Sequence, residues 1–294
     1  MPNTPPRLSA TAGWLNGLLG VAIFSASLPA TRVAVLELDP LFLTFARAAI
    51  AGVLGLALLV AAREPRPARA DVVPLLIVAL GVVVGFPLLT ALALRFVTSA
   101  HAVMFIGLLP LATALFAVLR AGERPRAAFW GCSLAGSALV GTYALAQGGA
   151  EGSLAGDGLM VAAIVVCGLG YAEGARLTHT LGGWQVISWA LVLSLPLMGP
   201  LAALTAPASL MGVGWPALLA LAYVSLFSML IGFVFWYRGL AQGGIAAVGQ
   251  LQLLQPFLGL ALAAGLLGEP VGPGLVAVAA GVVACVAGAK RFAG

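Results

Sequence analysis

Ten apolar stretches follow one another along the chain, over about 13–36, 40–62, 72–94, 100–119, 127–146, 156–178, 184–205, 215–238, 245–267 and 271–289. The short segments between them and the chain ends hold most of the charges. Each stretch is close to the roughly 20 residues that an α-helix needs to cross hydrocarbon. None alternates apolar and polar positions, as the strands of a membrane barrel do. Lipid offers backbone groups no partner, so an open run of this length must bond within itself as a helix. The pattern predicts an all-α membrane protein with ten transmembrane helices. The start of the chain also resembles a secretory leader: Arg7 precedes an apolar run from Trp14 to Phe24, and Ala30 ends a stretch of small residues. A retained first helix is the better reading, because the run continues to Val35 and the second half of the chain has a matching helix.

Composition agrees and narrows the class. The 294 residues are 62% hydrophobic and 8% charged, against about 25% charged in soluble domains. A large soluble domain, a nucleic-acid binder and a secreted disulfide scaffold are excluded. The net charge is +5, but the placement of the charges says more than their sum. With the N-terminus inside, eleven of the 14 Lys and Arg fall on the inner side. They are Arg7, three in 63–69, three in 120–126, Arg176, Arg238 and the Lys290-Arg291 pair; Arg32, Arg47 and Arg95 lie towards the outer side. That asymmetry predicts cytoplasmic N- and C-termini. The three cysteines (Cys132, Cys167, Cys285) sit inside apolar runs without ligand spacing and read as small packing residues. No metal and no cofactor is expected.

The sequence repeats itself. Shifted by 146, residues 91–123 fall on 237–269 without a gap: Leu94 on Leu240, Leu108 on Leu254, Pro110 on Pro256, and Gly122-Glu123 on Gly268-Glu269. Five helices per half would invert the second copy in the membrane. Glu123 lies among Arg120, Arg124 and Arg126, whereas Glu269 has no basic neighbour, as inversion requires. The expected organisation is a five-helix repeat over 1–146, an outer linker loop over 147–157 and a second five-helix repeat over 158–294. Inverted repeats that enclose a site are characteristic of secondary transporters.

Three stretches carry a family resemblance: DPLFLTFARAAIAGVLGLALL (39–59), with its Arg47; the segment 91–141 around Pro110 and Gly122-Glu123; and its second copy over 254–288. They resemble the EamA-type ten-helix bacterial exporters of the drug/metabolite transporter superfamily, while the sixth and seventh helices match loosely. The resemblance implies a multi-pass protein of the bacterial inner membrane. It also implies a central cavity between the halves and export of small organic solutes, often amino acids.

The candidate solute site follows from the interruptions in the helices. Pro110 and Pro256 fall near the middle of the fourth and ninth helices, and each removes a hydrogen bond to a carbonyl four residues back, on Ile106 and Gln252. Carbonyls freed at the midplane can hold a polar solute group or a water; a kink that only shapes packing is the alternative. Gln252 and Gln255 share a face of the ninth helix, and buried amides there serve a site or bond between helices. Candidate aromatic lining comes from Phe24, Phe86, Phe105, Tyr171, Trp189, Tyr223 and Phe227, each of which could equally face lipid or pack. Trp14, Trp184 and Trp215, at helix ends, read as interfacial anchors. Glu173 precedes Arg176 by three residues, as a helical ion pair would. His101 opens the fourth helix on the outer side. Arg47 could snorkel, pair with Asp39 or line an outer vestibule. These three are the candidates for coupling or vestibule roles. Glycines at four-residue spacing (13/17, 81/85, 170/174, 239/243) permit close helix approach.

The favoured function is alternating-access export of small neutral or zwitterionic metabolites, amino acids first and large hydrophobic or aromatic ones favoured, by facilitated movement as readily as by proton coupling. Drug or lipophile efflux on the same fold stays open. An intramembrane enzyme is disfavoured: there is no H-E-x-x-H, no G-x-S-x-G, and only His101 and His179. The expected partners are a small-molecule substrate and membrane lipid, without nucleic acid, in a monomer or dimer.

Overall fold

The computed structural model describes residues 7–93, 95–97, 99–146, 153–267 and 273–293, and every regular element within them is helical. The second Gly-Glu pair (268–269) and most of the expected linker, 147–152, lie outside the described residues. Among the described residues, seven helical runs are long and apolar enough to cross a membrane: Thr11–Thr31, Pro40–Ala61, Arg69–Ala93, Ala127–Ala146, Leu154–Thr178, Gly183–Leu204 and Trp215–Gly243.

The first apolar stretch forms α1 (Arg7–Ser25) and α2 (Ser27–Ala34), which part where Pro29 cannot donate to the Ser25 carbonyl. Helix α3 (Pro40–Ala61) starts sharply: the Asp39 carboxylate accepts from the Leu41 and Phe42 amides at 2.8 and 3.0 Å, with Pro40 in the first turn. The third stretch comprises α4 (Arg69–Val78), a π-helical segment over Ala79–Gly85, and α5 (Phe86–Ala93). The Phe86 amide bonds the Gly81 carbonyl, five residues back. Pro87 follows at once and cannot continue the ordinary ladder. Next come α6 (Ser99–Ile106), α7 (Leu109–Ala121), α8 (Ala127–Ala146), α9 (Leu154–Thr178) and α10 (Gly183–Leu204). The eighth stretch is α11 (Trp215–Tyr223), a second π segment over Val224–Ile231, and α12 (Gly232–Gly243). The chain ends with α13 (Ile245–Gly249), a 3₁₀ segment over Gln250–Leu254, α14 (Gln255–Leu267) and α15 (Pro273–Phe292).

Two expectations change. The stretches 100–119 and 245–267 are not single helices. The first breaks at Gly107-Leu108, two residues before Pro110, and Pro110 sits in the first turn of α7, where its missing amide costs nothing. The second tightens to 3₁₀ geometry ahead of Pro256. There the Gln255 amide donates to the Gln252 carbonyl, so the carbonyl expected to be free is taken. The interruptions also recur in register. Shifted by 146, the π segment 79–85 falls on 225–231 and the break at 107–108 on 253–254.

Helices pair mainly between the two halves. Helix α1 lies antiparallel on α12, α3 on α10, α8 on α15, and α9 on α4, α5 and the π segment between them. Glycine makes two of these contacts possible. Gly13 and Gly17 face Gly243 and Gly239, and Gly81 faces Gly170. A Cβ on Gly239 would stand 2.5 Å from the Gly17 amide nitrogen. Fully buried Trp236, Tyr237, Phe129, Ile187 and Leu191 fill the space between the layers. At the chain ends, Lys290 stands 4.5 Å over the Trp14 ring and the Arg126 amide donates to the Phe292 carbonyl, a cation–π contact and a backbone tie that join the two halves.

Gly239→Ala is expected to lower stability by about 1–3 kcal/mol, because backbone must move to admit the methyl. Thermal unfolding of the purified protein in detergent measures it. Gly141→Ala, where an added Cβ meets nothing within 4 Å, is expected to leave the midpoint unchanged.

Candidate functional site

Along α12, Phe233, Trp236, Tyr237 and Leu240 recur at helical spacing and form its buried face. This face meets α9 at Tyr171 and α1 at Phe24. The Tyr171 ring lies 5.5 Å from Trp236 and 6.1 Å from Phe233; Phe24 lies 5.0 Å from Phe233 and 6.2 Å from Trp236. Into this aromatic set the 3₁₀ segment delivers Gln252, whose Nε2 donates to the Tyr171 hydroxyl at 3.0 Å. Gln250, two residues earlier in the same segment, is buried too, on the side of α7. Gln250 Nε2 approaches the Pro110 carbonyl at 3.5 Å.

Three buried polar atoms here have no hydrogen-bond partner among the described residues: Gln250 Oε1, Gln252 Oε1 and Trp236 Nε1. A buried polar group without a partner costs about 1–3 kcal/mol. Of these three atoms, the Gln252 acceptor and the Trp236 donor belong to the ring cluster, and an acceptor and a donor among aromatic faces suit a neutral polar group. Aromatic faces and amide oxygens also suit an ammonium.

The other expected residues are dispersed. Phe86, Phe105 and Trp189 are half-buried and pack against the main core. Ile106 packs with the smaller cluster of Ala93, Val97, Ala102 and Met160. Pro110 is buried at the start of α7, and Gln255 and Pro256 are half-buried at the start of α14. Tyr223 and Phe227 form a separate stack, centroids 5.3 Å apart at 15°, with Phe227 41% exposed. The Tyr223 hydroxyl donates to the Ile23 carbonyl at 2.8 Å. His101 is buried, with Nε2 2.7 Å from Asp157 Oδ1. Arg47 does not pair with Asp39, which is occupied in capping α3. Its Nη2 donates to Met229 Sδ at 3.2 Å, and its buried Nε has no partner among the described residues. Phe233, Trp236 and Tyr237 were not singled out from the sequence, although their spacing with Leu240 marks one helical face.

A second polar region lies where α7, α9, α12 and α13 converge. Glu173 is fully buried and accepts from Arg120 Nε and from Arg176 Nη1, the latter at 3.0 and 3.1 Å. The i,i+3 pair expected of Glu173 is thus present, joined by an arginine from the other half. Both arginine side chains keep about two-fifths of their surface exposed (43% and 42%). Glu123, which ends the α7 turn after left-handed Gly122, accepts from the amides of Ile245 and Ala246 at 2.6 and 2.9 Å. It supplies the cap that Gly244, having no side chain, cannot. A cavity of about 340 Å³ opens between these groups, lined by Arg120, Glu123, Arg176, His179, Leu240 and Ile245 among others.

The fold and this arrangement define a multi-pass helical membrane protein with polar groups held inside. The chain belongs to the EamA-like transporter family, whose sequence profile matches residues 11–146 and again 154–289. It is 69% identical over 283 residues to "Uncharacterized transporter YdeK" of Bacillus subtilis (strain 168), an alignment covering 96% of this chain and 98% of that one. A solved crystal structure shares the fold at a TM-score of 0.80 with 22% identity, covering 94% of this chain and 97% of the other. The double match makes the chain a tandem of two related halves, and its family is one of membrane transporters rather than enzymes.

Glu123→Ala removes two charge-assisted hydrogen bonds and a cap. It is expected to destabilise the fold by about 2 kcal/mol, read as a lower unfolding midpoint in detergent; Glu123→Gln keeps one acceptor oxygen and should lose less.

Proposed function

We propose that the protein exports small neutral or zwitterionic metabolites by alternating access, amino acids first and large hydrophobic or aromatic ones favoured, through ten transmembrane helices arranged as two inverted five-helix repeats. The observation that carries this reading is the uncharged Tyr171–Gln252 pair set among the rings of Phe24, Phe233 and Trp236, with the Gln252 oxygen and the Trp236 N–H left over. Such a site offers stacking faces and unfilled hydrogen-bond positions to a solute with an aromatic or aliphatic side chain. The paired π segments and paired helix breaks support the repeat, since interruptions at matching positions in two halves point to the transport site. The excess of Lys and Arg on one set of loops supports a bacterial inner-membrane orientation with both termini cytoplasmic. Facilitated movement needs no titratable group at the site, and among the described residues none of the ring cluster's immediate partners is an Asp or Glu.

Purified protein in liposomes, offered a panel of labelled amino acids with and without a pH gradient, tests the reading. Transport of hydrophobic or aromatic members without a gradient is expected. Gln252→Ala should lower the rate at least tenfold, the effect of losing about one good hydrogen bond, with the unfolding midpoint little changed. Transport of no amino acid at all would sink the proposal, and wild-type rates in Gln252→Ala would remove that residue from the site.

A further inference from the structure

Glu173 poses a question that the ring cluster does not answer. A carboxylate in a membrane helix is costly and is kept only where it is paired. This one is paired twice, by guanidinium groups from α7 and α9, and both of those groups also face the cavity. A single Arg would have sufficed to neutralise it. The second leaves the local set of Arg120, Arg176 and Glu173 with one positive charge in excess. Glu123, the carboxylate that lines the cavity itself, spends both oxygens on the Ile245 and Ala246 amides. The outward faces of the two arginines therefore point donors into a space of about 340 Å³, large enough for a small organic acid or an amino acid.

We propose that this cavity is a loading site for the carboxylate of a solute, in which the solute's carboxylate competes with Glu173 for Arg120 and Arg176. The inference rests on the export reading, in which cargo arrives at this end of the helices. Two guanidinium forks converging on one acid bind carboxylates in general, because N–H donors match carboxylate oxygens in pairs. Leu240 and Ile245 are also among the lining residues, so part of the wall is apolar. Occupancy would draw Arg120 away from Glu173, which keeps Arg176, and so loosen the tie between α7 and α9. Loading and release of the inner contact are then a single event. The same chemistry could come from an anionic lipid headgroup, and the test separates the two sources.

The probes are 4-fluorobenzoate and its uncharged match 4-fluorobenzamide, followed by ¹⁹F NMR line broadening on the full-length protein in neutral-lipid nanodiscs. The benzoate is expected to bind, and the amide to bind at least tenfold more weakly. Arg120→Gln and Arg176→Gln should each weaken benzoate binding about tenfold, the value of one charge-assisted contact, while Arg176→Lys retains part of it. Glu173→Gln should bind the benzoate several-fold tighter, because the internal competitor is gone; a purely structural glutamate predicts the opposite sign. If Glu173→Gln fails to fold, the two arginine variants and the amide comparison decide. Equal binding of benzoate and amide, or no loss in both arginine variants, overturns the proposal. So does abolition of benzoate binding in nanodiscs containing anionic lipid, which would assign the cavity to a headgroup. Benzoate binding without amino-acid transport would keep this site and sink the export reading instead.

Discussion

In hydrocarbon a backbone group that loses its helical partner has no water to turn to. This chain nevertheless interrupts its helices at several points, and polar contacts from the opposite half lie close to three of them. Pro29 breaks the first stretch, and the nearby Ile23 carbonyl accepts from the Tyr223 hydroxyl of the second half. The amides that open α13 in the second half are capped by Glu123 of the first. The Pro110 carbonyl in the first half is approached by Gln250 of the second. The opening amides of α13 are therefore satisfied only while the first half is docked. Any rearrangement between the halves must exchange these partners rather than merely separate surfaces, which biases such a molecule towards discrete states over a continuum.

The contacts that need not be exchanged are of another kind. Gly13, Gly17, Gly239 and Gly243 bring α1 and α12 to backbone contact, and Gly81 with Gly170 does the same for the third and sixth stretches. With lipid as solvent there is no hydrophobic effect to drive helices together, so close van der Waals fit carries the association. These pairs again join one half to the other, which is why neither half has a separate core. Dispersion contacts between smooth glycine surfaces tolerate a small slide; a capped amide or a clamped carboxylate does not. The bundle thus combines seams that can shear with polar ties that must be made or broken.

The helices were legible in the sequence because apolar length is the strongest signal a membrane chain carries. So was the repeat, through Pro110, Pro256 and their common distance to Gly-Glu. The prolines announced interruptions but not their form. The same residue type yields a clean restart at Leu109, where it occupies a first turn, a 3₁₀ tightening before Pro256, and a π widening before Pro87. Which one forms depends on tertiary neighbours. The error over the Gln252 carbonyl follows from this: an ideal helix leaves it free, a 3₁₀ turn does not. The site was half legible. Tyr171, Gln252 and Phe24 were named, but Trp236 and Phe233 emerged only once α12 was seen to turn that face towards α9. Glu173 was read with Arg176 because three residues separate them, whereas Arg120 lies 53 positions away and no local rule reaches it.

The division of charge between the two polar regions has a physical basis. At the helix ends two half-exposed guanidinium groups can hold one buried carboxylate, because water still reaches their outer faces and the desolvation penalty is partial. Deeper, among Phe24, Tyr171, Phe233 and Trp236, no such relief exists, and the polar groups there are amide, phenol and indole. Among the described residues the ring cluster's immediate partners include no Asp, Glu, Lys or Arg, so a solute bound there would need either no charge or charges that offset one another within the molecule. A zwitterion meets that condition only if its two charged groups find neutral donors and acceptors at once, and the leftover Gln252 oxygen and Trp236 N–H supply one of each. An anion alone would be arrested at the guanidinium pair. Under the proposed export reading, the guanidinium pair and the uncharged ring cluster would act as two filters, sorting solutes by charge balance before side-chain shape.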